Sequence, residues 1–175
     1  MVELFEAFDS IRKFMDQGGD VLYMIMFVLF FMWVLIIERL WYFRAVLKGE
    51  VKKVVIAWEA RSERKSWHAH KIRLAMVSQV NQDLNKGIIT IKTLVGICPL
   101  VGLLGTVTGM IEVFDVMATM GSGNARAMAS GVSKATIPTM AGMVAALSGV
   151  FMSSYIERKA KREAEKLEDS LTMDH

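Results

Sequence analysis

Three long runs of uncharged, mostly apolar residues divide the chain. They cover 21–37, 93–111 and 135–156, and they are 17, 19 and 22 residues long. A helix that crosses a bilayer needs roughly 20 apolar residues, with about 17 as the lower limit. In a chain of 175 residues, three such runs leave too little polar sequence to bury them as the core of a soluble domain. The pattern therefore predicts an all-α integral membrane protein with three transmembrane helices.

The stretches around these runs have helical patterns of their own. Apolar residues recur at helical spacing up to Gly18-Gly19, which predicts an amphipathic helix that ends there. A charged helix is expected over 57–83, with a packing stripe of Leu74, Val77 and 80–84. The predicted segments are an amphipathic helix at 1–20, transmembrane helix 1 at 21–41, a charged helical segment at 42–92, transmembrane helix 2 at 93–118, a loop at 119–132, transmembrane helix 3 at 133–156, and a solvated, charged helical tail at 157–175.

The positive charges are spread unevenly over these segments. Twelve Lys and Arg residues lie between 38 and 92 and five lie after 156, whereas two precede the first run and the second loop has only Arg126. Lys and Arg favour the cytoplasmic side of a membrane protein. The distribution predicts a cytoplasmic middle segment and tail, with the N-terminus and the second loop on the other side. Topology accounts for the net charge of +3 without a nucleic-acid partner.

The second and third runs each have one helical face of small residues and one of large residues. Helices in lipid associate through close backbone approach rather than through hydrophobic burial, so small residues mark their contacts. We expect the small faces to meet protein or a pore, and the large faces to meet lipid or another helix. The candidate packing residues are Gly102, Gly105, Gly109, Gly142 and Gly149.

The threonines in these runs allow two interpretations. Thr106 and Thr139 lie on the small faces, whereas Thr108 lies on the opposite side of its helix. A membrane threonine often bonds to a carbonyl of its own helix. Alternatively, Thr106 and Thr139 line a polar path. The spacing leaves both interpretations open for these two residues and favours back-bonding for Thr108.

None of the three runs contains a charged residue, but charged residues lie close to their ends. Glu112, Asp115 and Lys134 lie there as candidate charges at a pore mouth. A charge at mid-membrane costs about 2.5–3.5 kcal/mol or more, and the runs contain no Asp, Glu or His. We therefore expect any proton carrier to come from a partner. His68 and His70 lack a third ligand, and no nucleophile–base pair is evident, so no metal, cofactor or enzyme activity is expected.

Three segments carry a family resemblance. The segments "CPLVGLLGTVTGMIEVF" and "GVSKATIPTMAGMVAA" resemble the second- and third-helix signatures of the ExbB/TolQ/MotA proton-channel family. The segment "GGDVLYMIMFVLFFMWVLIIERLWYF" resembles the first span of its short ExbB-type members. The resemblance implies a protein of the bacterial inner membrane with a periplasmic N-terminus and a cytoplasmic C-terminus. It also implies a homopentamer whose second and third helices line a central pore.

The resemblance implies partners and site residues as well. A single-span, ExbD-like partner would supply the membrane Asp, and the complex would use proton-motive force to energise a TonB-like protein for outer-membrane transport such as iron uptake. Thr106 and Thr139 match the family's pore threonines, which favours the polar path, while Lys134 replaces a common Glu. A TolQ-like role in envelope maintenance and a non-conducting membrane scaffold are the alternatives, which adjacent genes and proton flux would separate.

Overall fold

All regular secondary structure in the described residues is α-helical. The structure is a computed structural model, and it describes residues 2–61, 63–64, 66–120 and 125–171. Within these ranges the all-α prediction is confirmed. The helices are α1 (Val2–Ala45), α2 (Leu47–Glu59), α3 (Trp67–Asn85), α4 (Ile88–Met120) and α5 (Ala125–Ser170).

Helix α1 contains a local break in its helical backbone. Gly19 has φ 63° and ψ −162°, which lies outside the helical region. Glycine adopts a positive φ without the steric cost that a Cβ atom brings. The break lies at the Gly18-Gly19 pair, where the sequence predicts that the amphipathic helix ends.

Three helical stretches are long and apolar enough to cross a membrane. They are Gly18–Ala45, Trp67–Thr119 and Met128–Ser170. The predicted spans 21–41, 93–118 and 133–156 each fall inside one of them. The chain is therefore a membrane protein with three transmembrane helices.

The connection between α4 and α5 is shorter than the loop expected at 119–132. Helix α4 continues to Met120 and α5 already begins at Ala125, while 121–124 lie outside the described residues. The segment that starts "ARAMAS" is rich in alanine, which has the highest helix propensity of any residue. That propensity explains why α5 begins before the uncharged run.

The chain divides into two compact units. The first consists of Met1–Trp33 and Thr93–Val150, and the second of Val34–Lys92 and Phe151–His175. In the first unit the large residues of α4 and α5 are exposed, as expected for lipid-facing surfaces. The exposed set includes Leu100, Leu103, Leu104, Val107, Met140, Val144 and Leu147.

The second unit contains two helices, α2 and α3, where the sequence predicts a single helix over 57–83. The helix expected over 57–83 is interrupted between Glu59 and Trp67. The Ser66 side chain accepts a hydrogen bond from the His68 backbone N–H at 3.1 Å, and this N-cap starts α3. The N-cap at Ser66 therefore starts a new helix, although the sequence on both sides of it has a helical pattern.

The packing stripe expected on α3 is present in part. Val80 and Leu84 are buried, with 7% and 0% of their surface exposed. Leu74 is 43% exposed, so its inclusion in the stripe was wrong. The helical pattern placed the stripe on the right element but extended it too far towards the N-terminus.

The C-terminal part of α5 is less solvated than its charge pattern predicts. Ala160, Leu167 and Leu171 are each at most 1% exposed. The Arg73 guanidinium of α3 donates to the carbonyl oxygens of Leu171 and Glu168, both at 2.7 Å. These two bonds satisfy carbonyls near the end of α5 that have no partner within the helix. One face of the tail therefore packs within the second unit, while most of its other residues are exposed as the charge pattern predicts.

Candidate functional site

The small faces of α4 and α5 bring the two backbones into contact in the first unit. A Cβ atom built on Gly142 would lie 2.6 Å from the Cys98 carbonyl oxygen. A Cβ atom built on Gly102 would lie 2.8 Å from the Pro138 carbonyl oxygen. Real Cβ atoms almost never approach another atom this closely, so only glycine fits at these two positions.

The other candidate packing glycines also lie at contacts within the chain. A Cβ atom on Gly105 would overlap the Pro138 ring, and one on Gly109 would lie 2.6 Å from the Ala135 Cβ atom. At Gly149 it would lie 2.5 Å from the Met32 sulfur atom. The structure thus uses the small faces to hold α1, α4 and α5 together inside one copy of the chain.

Thr106 and Thr139 meet across the contact between α4 and α5. Their hydroxyl oxygens form a hydrogen bond with each other. The Thr139 hydroxyl also donates to the Gly102 carbonyl oxygen at 2.9 Å. Neither hydroxyl follows the back-bonding interpretation, since Thr106 bonds to the opposite helix and so does Thr139.

The number of protons fixes the direction of this short chain of hydrogen bonds. Each hydroxyl has one proton to donate. Because Thr139 donates to Gly102, the bond between the threonines requires Thr106 to donate and Thr139 to accept. The Thr106 oxygen then keeps a lone pair that is able to accept a further hydrogen bond. Both threonines are partly exposed.

Thr108 and Thr136 bond within their own helices. The Thr108 hydroxyl donates to the carbonyl oxygens of Leu104 and Gly105 at 3.2 and 3.1 Å, which confirms its predicted back-bonding. The Thr136 hydroxyl donates to the Ser133 carbonyl oxygen at 2.8 Å. The bond between the Thr106 and Thr139 hydroxyls, by contrast, joins α4 to α5.

A cavity of about 530 Å³ lies in the first unit near the loop ends of α4 and α5, and we call it the charged cavity. Its wall includes two of the predicted pore-mouth charges, Glu112 and Lys134. Asp115 is exposed and is not part of the wall. Asp16 and Asp20, on either side of the α1 break, complete the charges of the cavity.

Sequence analysis missed the two aspartates. They flank Gly18-Gly19, and this glycine pair was the sequence signal that could have pointed to them. Within the described residues, Lys134 forms no ion pair with any of the carboxylates of the cavity.

A protein-family model matches most of the chain. The MotA/TolQ/ExbB proton channel family matches residues 42–169. This range contains α4 and α5, and with them both threonines and every packing glycine that the sequence singles out.

Individual relatives carry biopolymer-transport names. The putative biopolymer transport protein ExbB-like 1 of Synechocystis sp. is 38% identical over 81 residues, 43% of this chain and 32% of that protein. Biopolymer transport protein exbB1 of Vibrio cholerae is 38% identical over 97 residues, 54% of this chain and 42% of that protein. A putative ExbB-like 1 protein of Helicobacter pylori strain J99 is 24% identical over 172 residues, 87% of this chain and 89% of that protein.

The extent of these matches differs. The chain covers less than half the length of the Synechocystis and Vibrio proteins and most of the length of the Helicobacter protein. The family match itself extends over well more than half of the chain. The chain therefore belongs to the MotA/TolQ/ExbB proton channel family.

Proposed function

We propose that this protein is the channel subunit of a complex that uses proton-motive force to energise a TonB-like protein for active outer-membrane transport. The observation that carries the proposal is the hydrogen-bond chain from Thr106 through Thr139 to the Gly102 carbonyl oxygen. It joins two transmembrane helices and leaves an accepting oxygen on a partly exposed threonine. The biopolymer-transport names of the relatives support this role.

The chain needs a partner to carry the proton through the bilayer. The uncharged runs 93–111 and 135–156 contain no carboxylate or imidazole. A single-span, ExbD-like partner with a membrane Asp would supply the titratable group. In its protonated form that carboxyl group would donate to the Thr106 oxygen, and after losing the proton it would no longer do so. The threonines would thus distinguish the two protonation states of the partner.

The assembly that suits this mechanism is a ring, most simply a homopentamer, around the partner helix. The small faces already pack against each other within each copy. Contacts between copies would therefore be made by the exposed large residues of α4 and α5. Thr106 and Thr139 would face the pore from the edge of the contact between α4 and α5. The charged cavity would lie at the pore mouth, with Lys134 free to pair with a neighbour's carboxylate.

Proton movement through the membrane would supply the energy for a conformational change in the partner. Moving one elementary charge through 100 mV yields about 2.3 kcal/mol, so several protons would drive a large conformational change in a partner. The distribution of basic residues supports an inner-membrane protein with a periplasmic N-terminus and a cytoplasmic C-terminus.

The test compares threonine variants of the complete complex with its partner. Proton flux into proteoliposomes is followed with a pH-sensitive dye under an imposed potential, and growth on a TonB-dependent iron source is measured in cells. Thr106→Val and Thr139→Val keep the side-chain shape but remove the hydroxyl, so we expect both to abolish flux and growth. Thr139→Ser keeps the hydroxyl and should retain partial activity.

Thr108→Val is the matched control, because the Thr108 hydroxyl only bonds to its own helix. This variant should conduct and grow nearly as the unaltered protein does. Size-exclusion chromatography checks that all four variants assemble. If the Thr106 and Thr139 valine variants conduct normally, the polar path is wrong. No flux from the unaltered complex would favour a scaffold, and flux without TonB dependence would favour a TolQ-like role.

A further inference from the structure

A groove in the second unit lies directly after the first transmembrane stretch. Its volume is about 560 Å³, and its wall combines the end of α1, one face of α2 and the part of α5 around Lys159. The stretch suited to cross the membrane ends at Ala45, and Phe43 belongs to the groove. Trp41 is 73% exposed, and exposed tryptophan is typical of the membrane–water interface. The groove therefore lies at the depth of the lipid headgroups.

The rim of the groove carries four positive side chains. Lys48 and Lys52 lie four residues apart on α2 and so share a face, Arg44 precedes them at the end of α1, and Lys159 lines the groove from α5. The carboxylate on the rim is Glu163, and it already pairs with Lys166 at 2.8 Å. Within the described residues, Arg44, Lys48 and Lys52 form no ion pair. The groove thus has an excess of positive charge that no ion pair among the described residues neutralises.

The floor of the groove is apolar. Phe43 and Leu47 are 3% and 2% exposed, and Val51 and Val55 continue the same stripe at helical spacing. The Lys159 ammonium lies 5.4 Å from the centre of the Phe43 ring, which places its charge directly over this floor. A ligand with an anionic head and an apolar tail would contact both parts of the groove.

We propose that this groove, the basic groove hereafter, binds an anionic phospholipid of the surrounding membrane. Basic clusters on the cytoplasmic side of a transmembrane helix attract anionic lipids, by about 1 kcal/mol for each Lys or Arg. The phosphodiester would lie against Arg44, Lys48 and Lys52. The first part of an acyl chain would cover Val51 and Val55. A soluble phosphate compound would leave that apolar floor exposed to water.

The experiment measures lipid affinity on the purified full chain, in its assembled form, by native mass spectrometry. The protein is titrated with dioleoyl phosphatidylglycerol, with dioleoyl phosphatidylcholine and with glycerophosphoglycerol, which has the anionic headgroup but no acyl chains. We expect the anionic lipid to bind at least about tenfold more tightly than the other two probes. The triple variant Arg44→Gln/Lys48→Gln/Lys52→Gln should lose roughly 100-fold in affinity for it, or about fivefold for each cation.

A matched triple variant removes the same charge elsewhere in the second unit. Lys71→Gln/Lys161→Gln/Arg162→Gln changes three exposed cations that do not line the groove, and it should keep the preference for the anionic lipid. The charge-conserving variant Arg44→Lys/Lys48→Arg/Lys52→Arg should keep it as well. If the triple glutamine variant is not recovered, Lys48→Gln alone should still show the fivefold loss.

Three results would overturn the proposal. The first is an unchanged lipid preference in the Arg44/Lys48/Lys52 variant. The second is an equal loss in the matched variant, which would indicate diffuse surface charge. The third is binding of glycerophosphoglycerol as tight as that of the intact lipid, which would indicate a soluble anion. Lipid binding is measured without proton flux, so its failure would leave the channel proposal untouched.

Discussion

Replacing Gly142 by alanine would test the contact on which the candidate site depends. The new methyl group would lie 2.6 Å from the Cys98 carbonyl oxygen and 3.3 Å from the Gly102 Cα atom. Both obstacles are backbone atoms, so no side-chain rotation relieves the overlap. Helices α4 and α5 would have to separate, and the Thr139 bond to the Gly102 carbonyl oxygen would lengthen with them.

The size of the effect follows from this geometry. Cβ atoms rarely approach another atom within 3.0 Å, so the helices must move apart by at least 3.0 − 2.6 = 0.4 Å. Overpacking of this kind costs about 1–3 kcal/mol. Alanine recovers up to about 1 kcal/mol of helix propensity. Gly96 lies on the same helix as Gly102, but a Cβ atom built there would meet nothing within 4 Å. Gly96→Ala therefore gains helix propensity without any cost of overpacking.

The assay is thermal unfolding in mild detergent, followed by the loss of the assembled peak in size-exclusion chromatography. The two alanine variants should differ in stability by about 1–3 kcal/mol, which corresponds to about 2–12 °C in the unfolding midpoint. Gly142→Ala should unfold first, and Gly96→Ala should equal or exceed the unaltered protein. Equal midpoints for the two variants would refute the close approach of α4 and α5.

Two further predictions concern the membrane topology and the C-terminal end of α5. In a Cys98→Ala background, a cysteine at Arg126 should react with an impermeant maleimide on intact cells, whereas one at Asp169 should react only after lysis; the reverse pattern would invert the topology. Arg73→Gln removes two charge-assisted bonds to the end of α5, each worth about 1.5–3 kcal/mol, so amide hydrogen exchange over the last turn, up to Ser170, should accelerate at least about tenfold. Arg73→Lys loses the forked geometry and should also accelerate exchange, whereas Lys71→Gln should not.

The sequence by itself determined the membrane class, the three spans and the two kinds of helix face. Runs of 17 to 22 uncharged residues suffice for the spans, because the bilayer imposes a length on any helix that crosses it. The division into small and large faces follows from helical periodicity, since residues three and four apart share a face. The exposed large residues and the close contact at Gly102 agree with that division.

The tertiary structure decided which small faces meet and which hydroxyls bond. Periodicity places Thr106 and Thr139 on small faces, but it does not specify the distance or register between two helices. Those depend on how Gly102 fits against the backbone at Pro138, and the register brings together hydroxyls that are 33 residues apart. The same limit explains Asp16 and Asp20, whose place in the charged cavity depends on the break at Gly19.

The exposure of the tail also depended on packing rather than on pattern. Alternating charges along 157–175 are typical of a solvated helix, and the sequence gives no weight to a partner such as Arg73. Leu167 and Leu171 lie four residues apart and so share a face, but a pair of leucines does not identify the surface that covers it. Local patterns determine which element forms and which face is apolar, whereas contacts between distant segments determine which face is buried.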